Sequence, residues 1–387
     1  MPDPEAVGED EALVARLRQE IETSGPITFA RFMDRSLYEP GHGYYRRPAP
    51  GPGRAGDYLT APEAHPIFGA ALGRLLEQAW DELGRPDPFT ITEPGAGTGA
   101  LAAVLLGGLR DLGSPMLAAV PYRPLEREQE RLTAFRDRLA AWGLAGLLAG
   151  DAAPPDAAET GAVVANEVLD ALPVHRVVGR RSGLRELLVG VEEGRFVHVE
   201  GPLTTPDLAA RLEAERVVLE EGQVTEICLA LDGWLTDATR HLARGVVILV
   251  DYAEEPTTLH SPVRRDGTLR AFARHAVGGD PFRHVGRQDL TATVDLAAVR
   301  IAAARAGLHA VGETTQAELL AATGSAELTG AYLRADTSLE DALALRSALV
   351  RLMDTRGMGG FRVLVLGRGL PPGTGLPALR RLARPGA

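Results

Sequence analysis

Glu93-Pro94-Gly95-Ala96-Gly97-Thr98-Gly99 sets three glycines at alternate positions behind an acid. Glycine has no Cβ, so such a run lets a ligand lie against the backbone. A helix opening at its end aims free N–H groups at that ligand. Further acids follow. Glu126 lies 27 residues beyond Gly99, where a carboxylate can accept hydrogen bonds from ribose hydroxyls. It also belongs to a charged stretch with Arg127, Glu128 and Glu130, which suits a solvated helix start. Asp151 follows Ala149-Gly150 and can bond an adenine amino group, or equally close a turn before Pro154-Pro155. Asn166, Glu167 and Asp170 come next, directly after the apolar run Ala162–Ala165. Asn166 is the sole asparagine of the chain.

Those residues need a scaffold that ends its strands at one edge. Apolar runs at Phe89–Thr92, Ala118–Leu125, Leu144–Ala149, Ala162–Ala165 and Val246–Val250 read as strands. Helices are expected between them, near Ala100–Leu112, Arg127–Trp142 and Leu229–Leu242. Alternation of this kind predicts an α/β fold with a parallel sheet, whose ligands bind outside the C-terminal strand ends. Pro121 and Pro124 weaken the second strand, because proline is disfavoured in central strands. Before the sheet, residues 9–23 and 28–37 read as helices, residues 38–63 as Gly/Pro-rich loop, and Pro66 opens a third helix ending near Gly84. Residues 174–200 read as antiparallel ribbon and 252–290 as a long stretch of little periodicity. Helices near Leu296–Ala306 and Leu339–Leu352 and a strand at Phe361–Leu366 complete the chain.

Two readings of the glycine loop compete. Gly95, Gly97 and Ala100 satisfy the relaxed dinucleotide pattern G-x-G-x-x-G/A. Glu93 with Gly95, Gly97 and Gly99 fits the E-x-G-x-G-x-G pattern of class I methyltransferases. Glu93 favours the second, since a carboxylate there helps hold the amino-acid tail of S-adenosylmethionine and would repel a pyrophosphate.

Composition narrows the field. The 387 residues carry 41 basic and 52 acidic groups, a net charge of −11, which disfavours general binding of nucleic acid or anionic lipid. Every basic residue is arginine. Chemistry that depends on lysine, such as a Walker P-loop or a pyridoxal Schiff base, is therefore excluded. The absence of lysine and the scarcity of asparagine suggest a GC-rich bacterial genome. The longest aliphatic run, Val246–Val250, falls far short of the ~20 residues that span a bilayer, so no membrane association is expected. Residues 1–10 are acidic, unlike a secretory or transit leader, and the single cysteine, Cys228, fits a reducing compartment. A cytoplasmic location is the expectation. The nine histidines show no ligand spacing such as H-E-x-x-H, so no metal is expected.

Signatures along nearly the whole chain resemble the MidA-like methyltransferases, a family that includes a mitochondrial arginine methyltransferase assisting respiratory complex I assembly. They include Gly25-Pro26-Ile27-Thr28-Phe29, Tyr38 to Tyr45, Gly56-Asp57-Tyr58-Leu59-Thr60-Ala61-Pro62-Glu63 and Ala165 to Val174. Val250-Asp251-Tyr252, Gly267 to Arg270, Arg274-His275, Asp280-Pro281-Phe282, Asp289-Leu290-Thr291 and Val294-Asp295 extend the match. Departures are Pro124 in the second strand, Phe272-Ala273 before Arg274-His275, and Val168-Leu169 after Asn166-Glu167. The resemblance implies a Rossmann-like class I methyltransferase core, with seven strands of which the last is antiparallel. It implies an N-terminal helical and loop cap over residues 1–84. The core would span 85–387, with substrate-covering insertions at about 174–225 and 252–292.

The cofactor so implied is S-adenosyl-L-methionine, held by Glu93, Gly95, Gly97, Gly99, Glu126, Asp151 and Asn166. The acceptor implied is a protein arginine, whose guanidinium is always protonated and must be oriented by carboxylates. Glu167 with Asp57 or Glu63 is the expected clamp, and Asp170 is a further candidate. A small-molecule O- or N-methyltransferase and a non-catalytic cofactor-binding assembly factor remain open, as does a homodimer.

Overall fold

The computed structural model describes residues 7–47, 59–149, 158–273, 276–334, 337–371 and 373–379. They form two compact units, each assembled from separated stretches of chain. One gathers residues 1–59, 169–234 and 253–302, and the other gathers 60–168, 235–252 and 303–387. The expected break at residue 84 thus falls at 59–60, because the helix Ile67–Glu82 packs on Ala100–Asp111 of the sheet unit.

The second unit is built on a six-stranded sheet. Its order is His309–Thr315, Arg362–Arg368, Leu242–Asp251, Glu159–Asn166, Thr90–Pro94 and Tyr122–Leu125. The last four run parallel, and Arg362–Arg368 lies antiparallel between its two neighbours. The final strand of the chain is therefore antiparallel, as expected. Two strand expectations need correction. Ala118–Leu125 shortens to Tyr122–Leu125, preceded by a 3-10 turn at Pro115–Ala119. Pro124 is accommodated because this strand is the sheet edge, where a missing N–H costs no ladder bond. Leu144–Ala149 is no strand. Ala145–Leu147 is a 3-10 turn, and a single bridge between Tyr122 and Leu148 remains of the seventh strand among the described residues. His309–Thr315 was not foreseen, since its outer positions are exposed and carry no apolar alternation.

The first unit opens with two capped helices. Asp10 Oδ1 accepts the N–H of Leu13 to start Glu11–Ser24, whose Leu13, Val14, Leu17 and Ile21 form one buried stripe. Thr28 caps Phe29–Tyr38 in the same way. These helices pack with Tyr44, Val189 and Phe196 into one apolar core. The ribbon expected over 174–200 is present as His175–Arg180, Gly183–Glu192 and Arg195–Gly201, joined by Ile27–Thr28 and Val224–Ile227. The stretch 252–290, expected to be irregular, holds the short helix Pro256–Leu259 and part of a three-stranded antiparallel sheet around Arg270–Ala273. No described helix is long and apolar enough to cross a membrane.

Candidate functional site

The glycine loop leaves Thr90–Pro94 and enters the helix Ala100–Asp111. Gly95, Gly97 and Gly99 all take left-handed backbone, with φ of 68°, 53° and 81°. The reasons differ along the loop. A Cβ on Gly99 would come within 2.8 Å of the Phe135 ring, so there glycine permits packing. A Cβ on Gly97 would meet nothing nearer than the Gly95 carbonyl at 3.9 Å, so there glycine leaves open space against the backbone. The Gly97 N–H donates to Glu126 Oε2 at 3.0 Å, while Arg127 and Glu128 N–H groups donate to Oε1 at 2.7 and 3.0 Å. Glu126 thereby ties the loop to the next strand end.

Glu93 precedes the loop in regular strand and is buried. Tyr122, on the adjacent strand, donates its hydroxyl to Glu93 Oε2 at 2.6 Å. Burial pushes the carboxyl up to about 8, against the lowering effect of the Tyr122 bond and with a smaller push from Glu126. At neutral pH Glu93 is mostly protonated in the free protein. A cation placed beside it would draw off that proton.

Asn166 ends the strand Glu159–Asn166, and the chain turns at Glu167 with φ 52°. A non-glycine residue there stores strain of about 1–3 kcal/mol, and such strain gathers at functional sites. Several bonds hold it. The Glu167 N–H donates to the Val250 carbonyl at 2.8 Å, and Asp251 Oδ2 accepts the Val168 N–H at 3.2 Å. Asn166 Nδ2 donates to Glu167 Oε1 at 2.9 Å and the Tyr252 hydroxyl to Oε2 at 3.3 Å. Burial raises the Glu167 carboxyl to about 7. Asp251 adds to the rise, and the bonds from Asn166, the Ala61 backbone and Tyr252 oppose it. Asn166 Oδ1 is buried with no hydrogen-bond partner.

Glu63 lies on the short helix Ala61–Ala64, the same segment that supplies the Ala61 bond to Glu167. Asp170 belongs to the other unit. It is buried there, its carbonyl accepts the Ala292 N–H at 2.9 Å, and its charge helps raise the Tyr38 hydroxyl well above the usual tyrosine range, behind burial and Asp289. Asp57 and Asp151 lie outside the described residues. Three residues were missed as site supports: Tyr122, Asp251 and Tyr252. The signature Val250-Asp251-Tyr252 marks two of them, but only the fold shows that they grip Glu167 and Val168.

A family model described as S-adenosyl-L-methionine-dependent methyltransferase matches residues 71–314. The Drosophila melanogaster protein arginine methyltransferase NDUFAF7 homolog, mitochondrial, is 30% identical over 92% of this chain and 85% of its own length. The Mus musculus protein arginine methyltransferase NDUFAF7, mitochondrial, is 28% identical over 74% of this chain and 69% of its own. A Burkholderia thailandensis crystal structure bound to S-adenosyl-homocysteine aligns with a TM-score of 0.86 and 35% identity, covering 100% of this chain and 98% of that one. The cofactor is S-adenosyl-L-methionine. The sheet edge suits it, with open backbone at Gly97, an unsatisfied acceptor on Asn166 and a carboxyl on Glu93 for a cationic tail.

Proposed function

The chain belongs to the MidA-like family of S-adenosyl-L-methionine-dependent methyltransferases, and on that premise we propose that it methylates an arginine side chain of a protein. The observation that carries this reading is the Glu167 carboxyl, held in a strained turn at the strand ends with its proton affinity near neutrality. The relatives' names as protein arginine methyltransferases support it.

The cofactor supplies an electrophilic methyl group on sulfur. The chain's own residues supply orientation and a proton acceptor. A guanidinium stays protonated at any working pH and presents a planar fork of N–H donors. Glu167, with Glu63 nearby in chain segment, receives that fork and turns one nitrogen toward the methyl carbon. An arriving cation lowers the Glu167 proton affinity, so the carboxylate forms as the acceptor binds. Methylarginine remains a cation, so the attacking nitrogen must release one proton during transfer. The Glu167 carboxylate so formed is the group placed to accept it. Glu93, Gly95, Gly97, Gly99, Glu126, Asp151 and Asn166 are assigned to the cofactor. The acceptor being a protein, neither nucleic acid nor membrane is required.

The test is incubation of the protein with isotopically labelled S-adenosyl-L-methionine and a lysate of its source organism, followed by mass spectrometry. Labelled methylarginine within peptides is the expected product. Label confined to small molecules, or to other side chains, would refute the arginine assignment.

A further inference from the structure

Away from the sheet, the first unit brings together Glu215, His260 and Asp295, which no step above uses. Glu215 caps the C-terminus of Asp207–Ala214, His260 follows Pro256–Leu259, and Asp295 leads into Leu296–Arg305. Their side chains are 1%, 3% and 14% exposed. One oxygen or ring nitrogen from each lies within 4.8 Å of the others.

The far sides of His260 and Asp295 are engaged, which leaves their near sides facing Glu215. His260 Nδ1 lies 2.7 Å from the Thr225 hydroxyl, and Gln223 Nε2 donates to the His260 carbonyl at 3.0 Å. Asp295 Oδ1 accepts the Ala297 and Ala298 N–H groups at 2.8 and 3.1 Å, leaving Oδ2 toward His260. Neither carboxylate oxygen of buried Glu215 has a hydrogen-bond partner.

The separations suit a shared ion better than a direct pair. His260 Nε2 lies 3.3 Å from Asp295 Oδ2 and 3.6 Å from Glu215 Oε2. A charge-assisted N–H···O bond is about 2.7–2.9 Å. Two ligands at about 2.0–2.2 Å from a tetrahedral centre are themselves about 3.3–3.6 Å apart. Charge agrees. The trio holds two acids against one imidazole; Arg176 bonds Glu226 at 3.1 Å, and Arg211, which also lines the cavity, lies 3.6 Å from Asp232. A divalent cation with neutral imidazole cancels both carboxylates. A cavity of about 30 Å³ borders the three ligands, beside Glu226 and Cys228, and is large enough for one water as a fourth ligand.

We propose that Glu215, His260 and Asp295 bind a single divalent metal ion of the Zn²⁺ class. Thr225 is a positioning residue, because an Nδ1–H donated to its hydroxyl leaves Nε2 free to ligate. The expectation of no metal rested on close histidine spacing, and these ligands come from three distant parts of the chain. Without metal, the same residues form a proton-held cluster. Burial opposes charge on His260, but Asp295 and Glu215 together push it up to about 9, so the ion must displace that proton.

The test uses the full chain, stripped with chelator and titrated with Co²⁺ and then Zn²⁺. One equivalent of Co²⁺ should give the intense visible bands of a four-coordinate site, and one equivalent of Zn²⁺ should abolish them. Glu215→Gln and Asp295→Asn, each shown folded by circular dichroism, should lose the bands, whereas Cys228→Ser should keep them. A folded wild type that shows neither Co²⁺ bands nor heat on Zn²⁺ addition would overturn the proposal. So would folded variants that bind like wild type.

Discussion

Glu93 and Glu167 stand at the ends of neighbouring parallel strands, and burial raises both carboxyls, yet they are held in different ways. Glu93 sits in regular strand with one side-chain donor, Tyr122. Glu167 lies just past its strand in left-handed backbone, gripped from Ala61, Asn166 and Tyr252. Strand register alone sets the first carboxyl. The second depends on three segments arriving together. A group that must meet an invariant cofactor can be fixed by register. A group that must steer a substrate gains from surroundings that tune its proton.

Substitutions should separate the two. The largest effect is expected at the loop between them. Gly97→Val fills the open backbone face and should weaken S-adenosyl-L-methionine binding by roughly a hundredfold, about 2.8 kcal/mol, read by calorimetry. Next, Glu167→Gln should slow methyl transfer by at least about tenfold while leaving cofactor affinity nearly unchanged, because it removes the proposed proton acceptor and the charge proposed to orient the guanidinium. Unchanged transfer would erase the distinction between the carboxyls. The pH profile sharpens it. Since Glu167 is protonated below about 7, kcat/KM should rise with pH through that value, and Glu167→Gln should flatten this limb.

Stability offers a smaller readout. The folded state holds the Glu167 proton more tightly than the unfolded chain, whose carboxyl titrates near 4.5. Stability is therefore lost as pH rises from about 4.5 to 7, and the deficit persists above. Glu167→Gln should raise the free energy of unfolding at pH 8 by on the order of 1 kcal/mol, read as a higher Tm, and change little at pH 4. A higher Tm at pH 4 as well would point to relief of turn strain instead. Smallest of all, Tyr252→Phe removes one hydrogen bond to Glu167 and should reduce transfer roughly threefold.

Much of the sheet was legible because apolar runs and glycine punctuation follow from local physics. The loop from Glu93 to Gly99, the edge at Asn166 and the position of the last strand could all be placed that way, whereas its antiparallel direction came from the family resemblance. Leu144–Ala149 misled, since an apolar run also serves a 3-10 turn. His309–Thr315 was hidden because edge strands need no apolar alternation. The supports of Glu167 were illegible for another reason. Asp251 and Tyr252 lie more than eighty residues from it, and only strand pairing brings them together. The separation of Glu215, His260 and Asp295 hid their convergence in the same way.

The most direct test pairs two measurements on Glu93→Gln and Glu167→Gln: calorimetric Kd for S-adenosyl-L-methionine, and single-turnover transfer to arginine with cofactor saturating. A crossed result is expected. Glu93→Gln should lose roughly tenfold in affinity and retain most of its saturated rate, while Glu167→Gln should retain affinity and lose the rate. Parallel losses in both quantities, or a crossing in the opposite sense, would contradict it.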